Sequence, residues 1–474
     1  MQQTLFNTNP YLSIRASQFA TKPLGELRSA LPIKELAALL PKPKKVGAKG
    51  WFDNEGKIAL QFLKHQTKHS DEELRCRINT DWAYQMFCGI QLGENEEIKD
   101  ENLIYRVRKF VAEHFEMDLF QSKLIEHWKP DMDNTQTGLT DATAYESYIA
   151  YPTDVKLLWQ CVEWLNATIR LLCHRYRINL PRNKFKDLKK EVLSYSKRRR
   201  KIKKQESKIR KRLLYLCDKL IHQFLPIYIK CSIQTITNAI GSNKQSSVFQ
   251  NSSKQLTIKD LDDVKNYFEL IQKVYKQQEF HYDNPEESIP NRIVSLHKPY
   301  LRPIVRGKEK KRVEFGAKVN VWQVDGLNFI EHFSFNAFHE GIRLKQGIAF
   351  HTKHFGKPSQ VGADAIYATN PNRTYCTKLK IATCFRPKGR RTTNKEKRKQ
   401  EDQMRTELGR ARATVMEGSF GNEKNHYGLQ KIKARTEKTE ITWIFFGIMT
   451  ANAVKVAKRI KKRRLKEKLK KQRA

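Results

Sequence analysis

Three widely separated acidic residues, Asp141, Asp364 and Glu417, have surroundings suited to metal-dependent phosphodiester chemistry. That chemistry needs hard oxygen ligands holding two divalent ions, Mg²⁺ or Mn²⁺, about 3.5–4 Å apart. One ion activates the attacking oxygen and the other stabilises the leaving oxygen. Asp141 lies in Gly138-Leu139-Thr140-Asp141-Ala142-Thr143-Ala144-Tyr145, a threonine-rich, glycine-bounded run that reads as a strand with room for an ion. Asp364 follows Val361-Gly362-Ala363 at the end of a second predicted strand. Glu417 falls on a late predicted helix, with Lys424 two turns along the same face, where an ammonium can meet a DNA phosphate. Spacing alone leaves this trio one of many, since an aspartate at a strand end more often caps or turns. Asp325 is such a case: Asp325-Gly326 is a two-residue hairpin turn between the alternating runs 318–324 and 327–330. His65/His69 and His351/His354 have zinc-like spacing, but neither pair has a third ligand nearby.

The charge balance narrows the partner. Lysine and arginine number 91 against 50 acidic residues, a formal net charge of +41. That excess strains a compact state unless a polyanion neutralises it, and nucleic acid does so with counterion release. With 39% hydrophobic and 10% aromatic residues the chain is expected to fold, and no apolar stretch is long enough to span a bilayer. The eight scattered cysteines suit a reducing compartment, and the opening Met-Gln-Gln-Thr-Leu-Phe lacks the regions of a secretory leader. The expected location is the cytoplasm.

The elements that must position the trio read as follows. Residues 1–30 are expected to be an irregular arm, and 31–130 a compact helical N-terminal domain, to which only the family likeness described below assigns DNA binding. Within it Ser70-Asp71-Glu72-Glu73 is a capping-box signature, and Leu103, Ile104, Val107, Phe110 and Val111 share a helix face. A domain over 131–455 built on a short sheet is expected to be interrupted at about 155–290 by a helical, basic insertion. Residues 197–212 of that insertion are basic at eleven of sixteen positions, with Arg198, Arg199 and Arg200 at a solvated tip suited to DNA phosphates. Trp322 and Trp443 read as core, and the apolar run 441–446 as the face that packs the last helix on the sheet. Residues 456–474 carry eleven lysines or arginines and one acid, a basic C-terminal tail. The expected fold class is α/β (α+β), a mixed sheet flanked by helices.

The motifs carry a more specific likeness. Leu139-Thr140-Asp141-Ala142-Thr143, continuing to Tyr151-Pro152-Thr153-Asp154, resembles the first-aspartate segment of DDE transposases from bacterial insertion sequences. Ala363-Asp364-Ala365-Ile366-Tyr367, with Asn370 beyond, is similar to their second-aspartate segment. Met416-Glu417-Gly418-Ser419-Phe420-Gly421-Asn422-Glu423-Lys424 resembles their glutamate helix. The segments around 70–74 and 87–90, with Arg302-Pro303-Ile304-Val305-Arg306-Gly307-Lys308 and Phe315-Gly316-Ala317-Lys318-Val319, extend the likeness over most of 31–455. One departure stands out. The family commonly places a tyrosine seven and an arginine four residues before the glutamate; here those positions are Arg410 and Ala413, and Arg412 is displaced by one.

The resemblance implies an RNase H-like core with Asp141, Asp364 and Glu417 as catalytic metal ligands for two Mg²⁺ or Mn²⁺ ions. It implies nicking at insertion-sequence ends and transfer of the freed 3′-hydroxyl into target DNA. Lys424, Arg410, Arg412, Arg302, Arg306, Lys318 and Arg198–Arg200 are the expected DNA contacts. Terminal inverted repeats and target DNA are the expected partners, with a homodimer on DNA. The alternatives are a nuclease of the same fold that never joins strands, and a catalytically decayed DNA-binding relic. A basic RNA-associated protein would account for the charge but not for the motifs.

Overall fold

The computed structural model describes residues 10–42, 50–93, 95–241, 256–305, 313–389 and 393–473. The chain divides into two compact units, Met1–Tyr148 with Ile304–Ala474, and Ile149–Pro303.

The first unit is built on a mixed sheet. Its strands are β1 (Thr137–Glu146), β2 (Pro303–Val305), β3 (Val313–Val324), β4 (Leu327–Ser334), β5 (Gln360–Ala363) and β6 (Ala382–Thr383). Their order is β2-β3-β1-β5-β6, with β4 paired to β3. β1 and β3 are antiparallel with Asp141 opposite Val321, and β3 and β4 form the expected hairpin. Both turn residues, Asp325 and Gly326, take positive φ (51° and 75°), which a two-residue hairpin of this hand requires. β5 runs parallel to β1, and β6 parallel to β5. Helix and mixed sheet together bear out the α+β class.

Helices from both ends of the sequence belong to this unit. Residues 31–130, expected as a separate domain, pack with the long closing helix Glu437–Arg473. Phe446 meets Phe62 at 5.0 Å between ring centres, and Phe445 meets Phe115 at 4.8 Å. The run 441–446 therefore seals helix against helix rather than helix against sheet. The sheet is reached nearly two turns later, where Asn452 brackets the backbone of Asn328 (2.9 and 2.7 Å). Residues 10–29 are also a correction. The irregular arm expected there forms helices Pro10–Ala20 and Pro23–Ser29, with a proline at the first helical position of the second. Ser70 caps Asp71–Thr80 through the Glu73 amide, but the Glu73 carboxylate turns to His69 instead of closing a full capping box. The basic residues 456–472 continue the closing helix.

The second unit is the insertion, wider than expected at 149–303. Four helices, Asp154–Arg175, Phe185–Lys197, Lys203–Gly241 and Ile258–Asp283, enclose a core that includes Leu158, Cys161, Leu165, Leu220, Phe224 and Ile271. The arginines 198–200 do not sit on a helix face. They form part of the exposed connection between the second and third helices.

Candidate active site

Strand periodicity sets out one side of the site. Alternate residues of β1 share a face, and Asp141, Thr143 and Tyr145 each meet a residue of the late helical segment. Arg412 Nη1 donates to Asp141 Oδ2 at 2.8 Å, and Lys424 Nζ to Thr143 Oγ1 at 3.0 Å. The Tyr145 hydroxyl donates to the Glu423 carboxylate. Parallel pairing of β5 with β1 ends at Thr140 and Ala363, which brings the next residue, Asp364, near enough for its charge to act on Asp141.

The helix Glu417–His426 is fastened by its inner face. Glu423 is fully buried and accepts from Asn328 Nδ2 at 2.6 Å. Ser419 Oγ accepts from the same amide at 2.7 Å. Burial raises the Glu423 carboxyl above its ordinary value, with the Tyr145 and Asn328 hydrogen bonds opposing. These anchors leave Glu417, at the helix start, 59% exposed.

The turn before Glu417, Arg412–Met416, is π-helical. In an α-helix, residues five apart point about 140° from each other. A π turn takes up one extra residue, so positions i and i+5 come nearly onto one face. Arg412 and Glu417 are five apart and share the site, with Arg412 Nη1 3.8 Å from Glu417 Oε1. Arg412 Nη2 lies 3.9 Å from Asp364 Oδ1. One guanidinium therefore reaches all three expected carboxylates.

Asp141 is the floor of the site, its side chain 13% exposed, while that of Asp364 is 49% exposed. Burial pushes the Asp141 carboxyl above its ordinary value. Arg412 and the Ala142 amide oppose this, and the negative charges of Glu340 and Asp364 add to it. Oδ1 of Asp141 accepts from Ala142 N (2.8 Å), and Oδ1 of Asp364 from Ala365 N (2.7 Å), which fixes both carboxylates. An all-oxygen donor set, open on the Asp364 and Glu417 side, suits hard divalent ions. As arranged, no group of three His, Cys, Asp or Glu among the described residues closes on a common metal position. The Arg412 side chain lies among the carboxylates.

The other expected DNA contacts fall in different settings. Arg410 is exposed. Lys318 pairs with Glu340 at 2.7 Å and donates to the Phe338 carbonyl. Arg302 donates to the carbonyls of Pro299 (2.5 Å) and Leu301 (2.9 Å), so its guanidinium is engaged by its own loop. Arg198, Arg199 and Arg200 are exposed, and Arg306 lies outside the described residues. Of the histidines, His351 is buried between Trp322 Nε1 (2.9 Å) and the Thr135 carbonyl (2.8 Å), and His65 bonds the Tyr427 carbonyl. Trp322 is fully buried, whereas Trp443 is half-buried against His65.

Sequence reasoning missed Glu423 as the anchor and Glu340 as a further negative charge acting on Asp141. Glu423 did carry a signal, six residues after Glu417 on the inner side of the same helix. Glu340 carried none, because only folding brings 340 near 141. Comparison with known protein families, characterised proteins and solved structures returns no match. Among the described residues, no helix is long and apolar enough to cross a membrane.

Proposed function

We propose that this chain is a DDE-type transposase of the insertion-sequence kind, which cuts DNA at element ends and joins the freed 3′-hydroxyl to target DNA. One observation carries the reading: Asp141, Asp364 and Glu417, far apart in sequence, converge on a single guanidinium. Strand order supports an RNase H-like core, with β4-β3-β1 antiparallel and β5-β6 continuing parallel to β1. The π turn also supports it. Its extra residue returns Arg412 to the place that an arginine four residues before the glutamate would take on an α-helix.

Asp141, Asp364 and Glu417 would hold two Mg²⁺ or Mn²⁺ ions, which supply activation of the attacking oxygen and charge stabilisation at the leaving oxygen. The chain's own groups do the rest. The Asp141 and Asp364 carboxylates are pre-oriented by backbone amides, and the Glu423 anchor fixes the helix that presents Glu417. Lys424 stands two turns along, held against Thr143, where its ammonium meets a phosphate of the bound strand. In the first step a water oxygen bonds to phosphorus, and the bond to the 3′ oxygen breaks to leave a 3′-hydroxyl and a 5′-phosphate. In the second, that hydroxyl bonds to a target phosphorus and displaces another 3′ oxygen, with no covalent protein intermediate. Exposed Arg198–Arg200 and Arg410 would bind backbone phosphates. Two ends must be cut together, so the active species is a homodimer on DNA, working in the cytoplasm beside the nucleoid.

The test is cleavage of DNA bearing the element's own ends, with Mg²⁺ or Mn²⁺, by wild type and Asp364→Ala. Metal-dependent nicking that falls on the order of 10³-fold in the variant is expected, several kcal/mol of lost transition-state stabilisation. Equal DNA binding by both proteins with no cutting under either metal would put the DNA-binding relic in its place.

A further inference from the structure

We propose that Arg412 is the resident counter-ion of the carboxylate site, and that divalent ions enter only by displacing it. This rests on the metal-dependent reading above. A guanidinium is a planar fork of five N–H donors, able to span several acceptors at once. Here it lies 2.8 Å from Asp141, 3.8 Å from Glu417 and 3.9 Å from Asp364. Its side chain is only 18% exposed, so it is a built part of the site and not a surface arm swinging past.

Asp141 makes the conflict specific. One of its oxygens accepts from Ala142 N and the other from Arg412. A divalent ion bound there needs an oxygen at about 2.0–2.6 Å, inside the space that the guanidinium fills. Two cations cannot share that position without strong repulsion at short range. The π turn explains why the arginine is there: it puts Arg412 on the face of Glu417, whereas Arg410, two residues earlier, is exposed. The guanidinium neutralises part of the mutual repulsion of three carboxylates until metal replaces it. The release of Arg412 is then the step that couples metal entry to the rest of the site.

The experiment is Mn²⁺ binding to the full chain without DNA, followed by the electron paramagnetic resonance signal of free Mn²⁺. Wild type is compared with Arg412→Ala, Arg412→Gln and Asp141→Asn. Removing the competitor should tighten Mn²⁺ binding at least about tenfold, the equivalent of ~1.4 kcal/mol. A merely structural arginine would show the opposite, with looser binding on removal. The Gln variant keeps a hydrogen-bonding side chain at 412, so the comparison survives if the Ala variant folds poorly. Unchanged or weaker binding in the folded Arg412 variants overturns the proposal, and the metal reading stands if Asp141→Asn still loses Mn²⁺. If wild type and Asp141→Asn bind Mn²⁺ alike, the metal reading itself fails, and this inference with it.

Discussion

Two charge clusters of this chain are near mirror images. In the sheet unit one arginine, Arg412, serves three carboxylates. In the helical unit one carboxylate, Asp154, serves three basic side chains: Arg292 at 2.6 Å, Arg210 at 3.5 Å and His281 at 3.6 Å. Asp154 stands at the first turn of its helix, with its side chain 12% exposed, among Arg210, Tyr282 and the Arg292 loop. There the shortage is of acceptors: Nε and Nη2 of Arg210 are buried without a hydrogen-bond partner. At Arg412 the shortage is of positive charge, and two of the three acids face solvent. A cluster short of cations at an open edge is what the proposed metal-dependent reading requires. A cluster of similar size, closed around one largely buried acid, is equipped to hold three helices and the Arg292 loop in register.

This contrast predicts opposite consequences for removing one aspartate from each. Asp154→Ala strands two arginines in a largely buried setting and should cost about 3 kcal/mol of stability, the usual scale for breaking a buried ion pair. Urea denaturation followed by the helical signal checks this, and a loss under 0.5 kcal/mol would end the comparison. Asp364→Ala should instead leave folding nearly intact, because its carboxylate is half-exposed.

A smaller effect separates interior histidines from the acidic site. His351 accepts from Trp322 at Nδ1 and donates from Nε2 to Thr135, so the neutral ring is fully bonded. Burial lowers its pKa to about 4, and that of His65 to about 3. Both bind fewer protons folded than unfolded. Their contribution to stability is therefore complete above about pH 6.5 and is lost as pH falls towards 4. The melting temperature should decline over that window, and less steeply in His351→Gln; equal slopes would exclude His351 as a source. Smallest is the exposed connection at 198–200. Replacing Arg198, Arg199 and Arg200 with alanine should weaken DNA binding uniformly across sequences and reduce the salt slope by up to about 3. An unchanged slope would make these arginines a solvated corner only.

Much of this was legible in the sequence where the signal is local. Asp325-Gly326 specified its hairpin because few residue pairs accept two positive φ values. The threonine-rich, glycine-bounded run around Asp141 placed it within β1, and the helical pattern of the insertion matches a first helix that opens at Asp154. The arm at 10–29 was misread because its helices are short and gain their stability from packing, with Leu27 and Ala30 buried. The boundary at 130 was misread because amphipathic helices do not declare which apolar surface they will cover.

The sequence by itself determined the three carboxylates, their order, their strand and helix settings and the basic excess, since residue type and periodicity carry these. Only the tertiary structure decided that Asp364 lies beside Asp141, because strand pairing between residues more than two hundred apart leaves no local trace. It also decided the role of Arg412. Read along the chain, this arginine is one place out of register with the glutamate and counts among DNA contacts. Folded, a single π turn absorbs the extra residue and lays its guanidinium across all three acids.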